Sequence, residues 1–431
     1  MLDIKFIREN PEEIKQACKN KQVKLDIDRL LELDKKKREI LQEVENLRAE
    51  RNIITEQVAK EKSQELIEKA RKIKEQISEK EEELKKIEPE YQELLYSIPN
   101  PALNNVPEGK NESENMVLRE NGKKPKFDFE AKNYWELGET LDIIDTERAA
   151  KTSGTRFGFL KGKGALLEFA LINFALETLV KEGFVLVVPP VLIKPEMLGK
   201  MGYLSLKMKD VENKKWENDE VYFLRDDDLV LVGTSEQVIG PMHSEEIFEE
   251  KGLPKRYIGF SSCFRREAGA YGRDVKGILR VHQFDKVEMF IFCKPENSIK
   301  EHQLMLSMEE KIMQKLEIPY RVVQMCTGDL GMPAASKYDI EAWFPGQNEY
   351  RETHSTSNCT DFQARRLNVR YRDTKTNKLE FVHMLNGTAI AIGRMILAIL
   401  ENYQQKDGSV KVPKVLQKYS GFEKINPPKV R

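Results

Sequence analysis

The chain has 431 residues, 40% hydrophobic and 33% charged, with 71 Lys and Arg set against 72 Asp and Glu. That length suits two or three domains, and the cancelling charge argues against a uniformly basic nucleic-acid coat while leaving room for a basic patch on one face. The five cysteines lie far apart without a CxxC pair, which argues against a disulfide framework or a cysteine-rich zinc site.

The opening MLDIKFIRENPEEIK lacks the long apolar stretch of a signal peptide. The most apolar short run, FVLVVPPVLI, is too short to span a membrane and is broken by Pro189 and Pro190. A soluble, cytoplasmic protein is expected.

Residues 28–98 contain no Gly, and their one Pro is Pro89. Leu30, Leu33, Ile40, Val44, Leu47, Ile54 and Val58 fall on a heptad register interrupted by Lys37 and Arg51. After the polar stretch KEKSQE a second register runs through Leu66, Ala70, Ile73, Ile77, Lys80, Leu84, Ile87, Tyr91, Leu94 and Ile98. A sustained 3.5-residue period marks a coiled coil, and two such arms predict an antiparallel helical hairpin over about 28–98. Each arm would be roughly 45–50 Å long and should project from any compact core.

Pro99, Pro101, Pro107 and Gly109 then interrupt helix. The expected division is an N-terminal domain over 1–110, a linker over 111–125 and a second domain over 126–431. In that second domain, short runs such as RYIGFSSCF and KVEMFIF alternate with the helical pattern ALLEFALINFALETLVKEG. An α+β fold is predicted, a mostly antiparallel sheet flanked by helices.

Charged residues inside apolar strand-like runs are costly unless paired or liganded. Arg265 and Glu267 follow FSSCF, and alternation places them on one face of a strand; Arg280, His282, Phe284, Lys286 and Glu288 alternate along the next. Arg binding phosphate, a ring stacking on a base and a carboxylate accepting from an amino group would suit a nucleotide. The same pattern fits a solvated sheet face. Glu352 and Ser355 in EYRETHSTSN are hard oxygen donors that suit Mg²⁺ shared with phosphates, although a polar edge strand reads equally well. Arg394 in NGTAIAIGRMILAILEN is a weak signal taken alone.

Together these segments resemble the seryl-tRNA synthetases, a family of class II aminoacyl-tRNA synthetases. The resemblance runs nearly the whole chain, through the opening, the hairpin, ERAAKTSGTRFGFLKGKGALLEFALINFAL, GTSEQ, FRREAGAYGRDVKGILRVHQFDKVEMF and NGTAIAIGR, in order. It implies a class II catalytic domain that joins serine to tRNA(Ser), and to tRNA(Sec) where present, through a seryl-adenylate. ATP is the co-substrate, Mg²⁺ the metal, and no zinc is expected. The hairpin would bind tRNA and the working unit would be a homodimer, built on the helix near 166–182 and the strand GFVLVVPP.

Residue by residue, the resemblance makes Arg265, Glu352 and Arg394 catalytic. Serine would meet Thr234, Ser235, Glu236, Arg265, Glu288 and Thr388. ATP would meet Arg265, Arg266, Glu267, Val281, Phe284, Glu352, Thr353, His354, Ser355 and Arg394, with Glu352 and Ser355 as metal ligands. His354 stands where the family generally has a small hydroxyl residue, and it could adjust ATP affinity. No role attaches to the segment 205–222. Two competing readings remain at this point: a relative that loads a carrier protein, which would lack the hairpin, and a non-catalytic coiled-coil protein, which would lose some of these charged residues.

Overall fold

The 3.5-residue seam folds as two long helices, α1 (Ile27–Glu61) and α2 (Gln64–Ser97). Asp26 starts α1 by accepting from the backbone N–H of Arg29 at 2.9 Å. Lys62, in the left-handed region at φ 45°, ends it, and Ser63 opens α2. Ile40, Val44, Ile54, Ile73 and Ile77 are buried between the arms, with Leu47, Val58, Leu66, Ala70, Leu84 and Ile87 packed against them.

Lys37, which breaks the seam, is used rather than merely tolerated. Its ammonium lies 4.3 Å from the Tyr91 ring centroid and 2.8 Å from Glu88, so stem and charge are both satisfied. Between Tyr91 and Ile98, both buried as the register predicts, Leu95 is buried in place of Leu94. Pro89 sits inside α2 without ending it.

The computed structural model describes residues 1–204, 208–210, 215–216, 220–268 and 276–428. The chain divides into two compact units, Met1–Pro99 and Asn100–Arg431.

The second unit is built on eight strands: β1 (Met116–Asn121), β2 (Val185–Val187), β3 (Lys255–Phe264), β4 (Gln283–Cys293), β5 (Tyr320–Gln324), β6 (Ser336–Phe344), β7 (Glu349–Asn358) and β8 (His383–Ala391). Their order is β1-β5-β6-β7-β8-β4-β3-β2. Neighbours are antiparallel throughout, except that β2 runs parallel to β3 at one edge. Helices α3 (Lys163–Val180), α4 (Ser298–Lys315) and α5 (Ile392–Asn402) pack on the sheet.

Strand β4 shows how one strand serves two environments. Val287, Met289, Ile291 and Cys293 enter the main core with Leu171, Met305 and Ile396. On the opposite face, Phe290 and Phe292 join a second cluster with Met201 and Ile239. Phe284, Lys286 and Glu288 share that second face but lie nearer the start of the strand, beside the cleft.

Two expectations need correction. The stretch 111–125 is not a free linker, because its residues Met116–Asn121 form edge strand β1 on β5. Asn100, further upstream, is tied into the same unit, donating at 2.9 Å to the carbonyls of both Pro333 and Cys359. Secondly, β3 ends at Phe264, so Arg265 and Glu267 do not share a strand face. Glu267 turns at φ 51°. The loop AYGRD and most of the segment 205–222 lie outside the described residues. Among the described residues, no helix is long and apolar enough to cross a membrane.

Candidate active site

At one end of the cleft, Glu288 on β4 pairs with Thr388 on β8 and with Gly259 on β3. Thr388 Oγ1 donates to Glu288 Oε2 at 3.2 Å, and Lys286 Nζ lies 2.7 Å from the same oxygen. Opposite them, Tyr203 donates its hydroxyl to Glu236 Oε1. Burial and the neighbouring Glu288 push the Glu236 carboxyl up to about 7, opposed by Lys286, Tyr203 and Arg265. Thr234 Oγ1 is buried without a hydrogen-bond partner, an unmet polar group in a cleft wall.

Strand β7 supplies the other end, and a bulge decides what it presents. Ser355 pairs with Asp339 and His354 with Ile340, but Glu352 pairs with Glu341, leaving Thr353 as the extra residue. In a regular strand Glu352 and Ser355, three apart, would face opposite ways. The bulge brings both to the cleft. It also turns His354 beside Ile340 of the main core, where burial pushes the imidazole down to about 3 and the ring is uncharged.

Burial would raise the Glu352 carboxyl, but Arg394, Lys337 and Arg265 outweigh it and hold it down to about 2. Arg394, in the first turn of α5, reaches back to Glu352 with Nη1 3.1 Å from Oε2 and 2.9 Å from the backbone carbonyl. Beneath them, Asp339 Oδ1 is buried without a partner. Burial first, and then the charge of Glu352, raise that carboxyl to about 7 against the pull of Lys337.

Arg265 lies between these ends. Its Nε donates to the carbonyl of Gly233 at 3.2 Å, and its guanidinium carbon stands 5.4 Å from the centroid of the Phe284 ring. Glu267 meets Arg280 at 3.3 Å. Two cavities open on these residues. The larger, about 560 Å³, is lined by Tyr203, Thr234, Glu236, Glu288, Ser355 and Asn386 among others. The smaller, about 270 Å³, is lined by Glu267, Val281, Phe284, Thr353 and Arg394 among others. Glu220, Arg265, Lys286, Glu352 and Thr388 line both.

Three of the residues named from the sequence line neither cavity. His354 is turned into the core by the bulge. Ser235 packs over Gly259, where a Cβ would come within 2.8 Å of Ser235 Oγ. Arg266 is exposed beyond the end of β3. Conversely, Tyr203, Glu220, Lys337 and Lys286 line the cleft without having been given a role. Lys286 and Lys337 left a signal in the sequence, as charges within strand-forming runs, whereas Tyr203 left none.

Known proteins resemble the chain along its whole length. Residues 220–403 match the class II tRNA synthetase core domain (G, H, P, S and T), and residues 1–102 match the seryl-tRNA synthetase N-terminal domain. The serine–tRNA ligase of Dictyoglomus thermophilum is 48% identical over the whole of both chains. The chain belongs to the seryl-tRNA synthetase family. A crystal structure of the Pyrococcus horikoshii seryl-tRNA synthetase complexed with ATP is similar at a TM-score of 0.90 and 42% identity, covering 100% of each chain. The Naegleria fowleri cytoplasmic enzyme in complex with AMP matches at 0.85 and 36%, covering 100% of this chain and 99% of that one. As a seryl-tRNA synthetase family member, the chain is a class II aminoacyl-tRNA synthetase with a coiled-coil hairpin at its N-terminal end.

Proposed function

We propose that the two joined cavities carry out the family's reaction, ATP-dependent attachment of serine to tRNA(Ser) through a seryl-adenylate. The observation that supports this placement most is that Arg265 lines both cavities, at the point where a carboxylate in one would meet a phosphate from the other. The larger cavity takes serine. Its ammonium meets Thr234 and the Glu236 carboxyl, its hydroxyl meets Glu288 and Thr388, and its carboxylate meets Arg265. The smaller cavity takes ATP, with adenine stacked on Phe284 between Val281 and Glu267, and the phosphates running towards Arg394.

Adenylate formation needs no protein base, because the serine carboxylate is already the nucleophile. It attacks the α-phosphorus, the new bond being carboxyl oxygen to phosphorus, and pyrophosphate leaves. Arg265 neutralises charge at the α-phosphate and holds the two reactants in line, while Arg394 stabilises the leaving end. Glu352, Ser355 and the partnerless Asp339 Oδ1 form a hard-oxygen donor set that fits Mg²⁺, Glu352 and Ser355 being the direct ligands. When bound, the ion screens the negative charge of the phosphates. The second step passes the seryl group to the terminal ribose hydroxyl of tRNA.

Serine is too small for apolar fit to separate it from alanine. A pocket whose buried groups need its hydroxyl can reject the analogue lacking it by roughly 10⁴-fold. The hairpin binds tRNA by backbone contacts from lysines and arginines along its arms, suited to shape rather than base code, and tRNA(Sec) would share that shape. A homodimer is supported by exposed apolar residues where the family's dimer motif falls: Leu166, Phe169 and Val180 on α3, Val185 and Leu186 on β2, and Val188.

A charging assay with total tRNA and each of the twenty amino acids tests the reading. Serine alone should be attached, and only when ATP and Mg²⁺ are present. Charging of a carrier protein in preference to tRNA, or no serine-dependent exchange of pyrophosphate into ATP, would overturn it.

A further inference from the structure

We propose that Lys286 is a positioning residue of the serine pocket, fixing one oxygen of Glu288 so that the other is left to select the substrate hydroxyl. This rests on the serine pocket placed above, in which Lys286 had no part.

The geometry is specific. Lys286 and Glu288 are two apart on β4 and share its cleft face. Their side chains retain 8% and 2% exposure, and Nζ stands 2.7 Å from Oε2. Thr388 Oγ1 donates to that same oxygen at 3.2 Å. Among the described residues no donor reaches the other oxygen, Oε1. One carboxylate oxygen is therefore held twice over, and its twin is offered to the cavity.

The cation also answers an electrostatic problem. Glu236 and Glu288 line one cavity, and two buried carboxylates disfavour each other's charge. The groups facing Glu236 are Glu288 and Lys286 from β4, Arg265 just beyond β3, and the Tyr203 phenol. Lys286 is a compact point charge on a flexible stem, able to sit against one carboxylate oxygen without the planar fork of an arginine. Without it, Glu236 would hold its proton to higher pH and the ammonium of serine would lose its counter-charge over part of the working range.

The test uses full-length enzyme and serine-dependent pyrophosphate exchange with Lys286→Met, Glu288→Gln and the double variant. Lys286→Met should raise KM for serine by roughly tenfold to a hundredfold, the size expected when a charge-assisted hydrogen bond is lost. KM for ATP should move far less than that for serine, because Lys286 lines both cavities but its ammonium is paired with Glu288, which lines only the larger one. The pH profile of KM for serine should inflect at higher pH in Lys286→Met than in the parent enzyme. The double variant should be no worse than Glu288→Gln alone, since a neutral amide needs no cation.

Losses that multiply in the double variant, or KM for ATP rising in step with that for serine, would overturn the inference. Should Lys286→Met alone fail to fold, recovery of folding in the double variant supports it and continued failure overturns it. If Glu288→Gln by itself leaves serine use unchanged, the serine pocket is misplaced and the fault lies there instead.

Discussion

Along the hairpin, Arg48 meets Glu81 at 2.7 Å and Arg29 meets Glu90 at 2.8 Å, with all four side chains about half exposed. In the sheet, Lys286 meets Glu288 at the same 2.7 Å with both side chains nearly sealed from water. Equal distances do not mean equal consequences. Water and salt screen the hairpin pairs, which trim alternative pairings between arms while the isoleucine seam holds them together. The sheet pair has lost its water, so removing one partner strands the other. Charge is spread along the exposed flanks of the hairpin and sealed away from water in the sheet.

The comparison can be broken most severely by separating the two regions. Deleting roughly residues 35 to 92 and closing the gap with a short turn should leave serine-dependent exchange intact. Charging should fall by at least roughly a thousandfold in kcat/KM for tRNA, mainly through KM, with a shallower salt dependence. A deletion variant that charges tRNA normally would take tRNA binding away from the hairpin.

Next in size, Arg394→Ala or Glu352→Ala should lower the exchange rate by roughly 10² to 10³ without unfolding the protein. Normal exchange at low magnesium in either variant would show that the phosphates lie elsewhere. Glu288→Ala should cost about a hundredfold in kcat/KM for serine while KM for ATP stays put. Steady-state titration of each substrate separates the two.

The smallest effects belong to the hairpin itself. Ile73→Ala, in the buried seam, should destabilise that unit by about 2–4 kcal/mol in chemical denaturation. Arg48→Ala should change it by at most about 1 kcal/mol. If the order of these two were reversed, the surface pairs and not the seam would be holding the arms.

How much of this was legible in the sequence depended on range. The seam from Leu30 to Tyr91 could be followed because a 3.5-residue period is a local property, and it slipped only at Leu95. The edge strand at Met116 could not, since what makes it a strand is β5, some two hundred residues later. Glu288, Arg265 and Arg394 were readable as charges out of keeping with their surroundings, and family likeness gave them roles. That likeness also placed Ser235, Arg266 and His354 at the site, where packing over Gly259, exposure beyond β3 and the β7 bulge set them apart from the cavities. Pairing register is invisible in a single strand's sequence, because it is set by a neighbour.

Thr353 lines the smaller cavity, but its hydroxyl is turned to the sheet, donating to the Ile340 carbonyl at 3.2 Å. Yet it acts as a change of parity. Before it, the even-numbered Glu352 faces the cleft; after it, the odd-numbered Ser355 and Ser357 do, while Thr356 is sealed on the dry side. Keeping that residue but pairing it with Ile340 in an unbroken ladder would swap wet for dry along everything that follows, bringing Thr356 and Asn358 into the cleft and driving the serines into the core. Deleting it outright would instead leave Glu352, His354 and Ser355 opposite Glu341, Ile340 and Asp339, with every later side chain still on its own face. A census of insertions and deletions should therefore rank a one-residue deletion here as milder than a one-residue insertion.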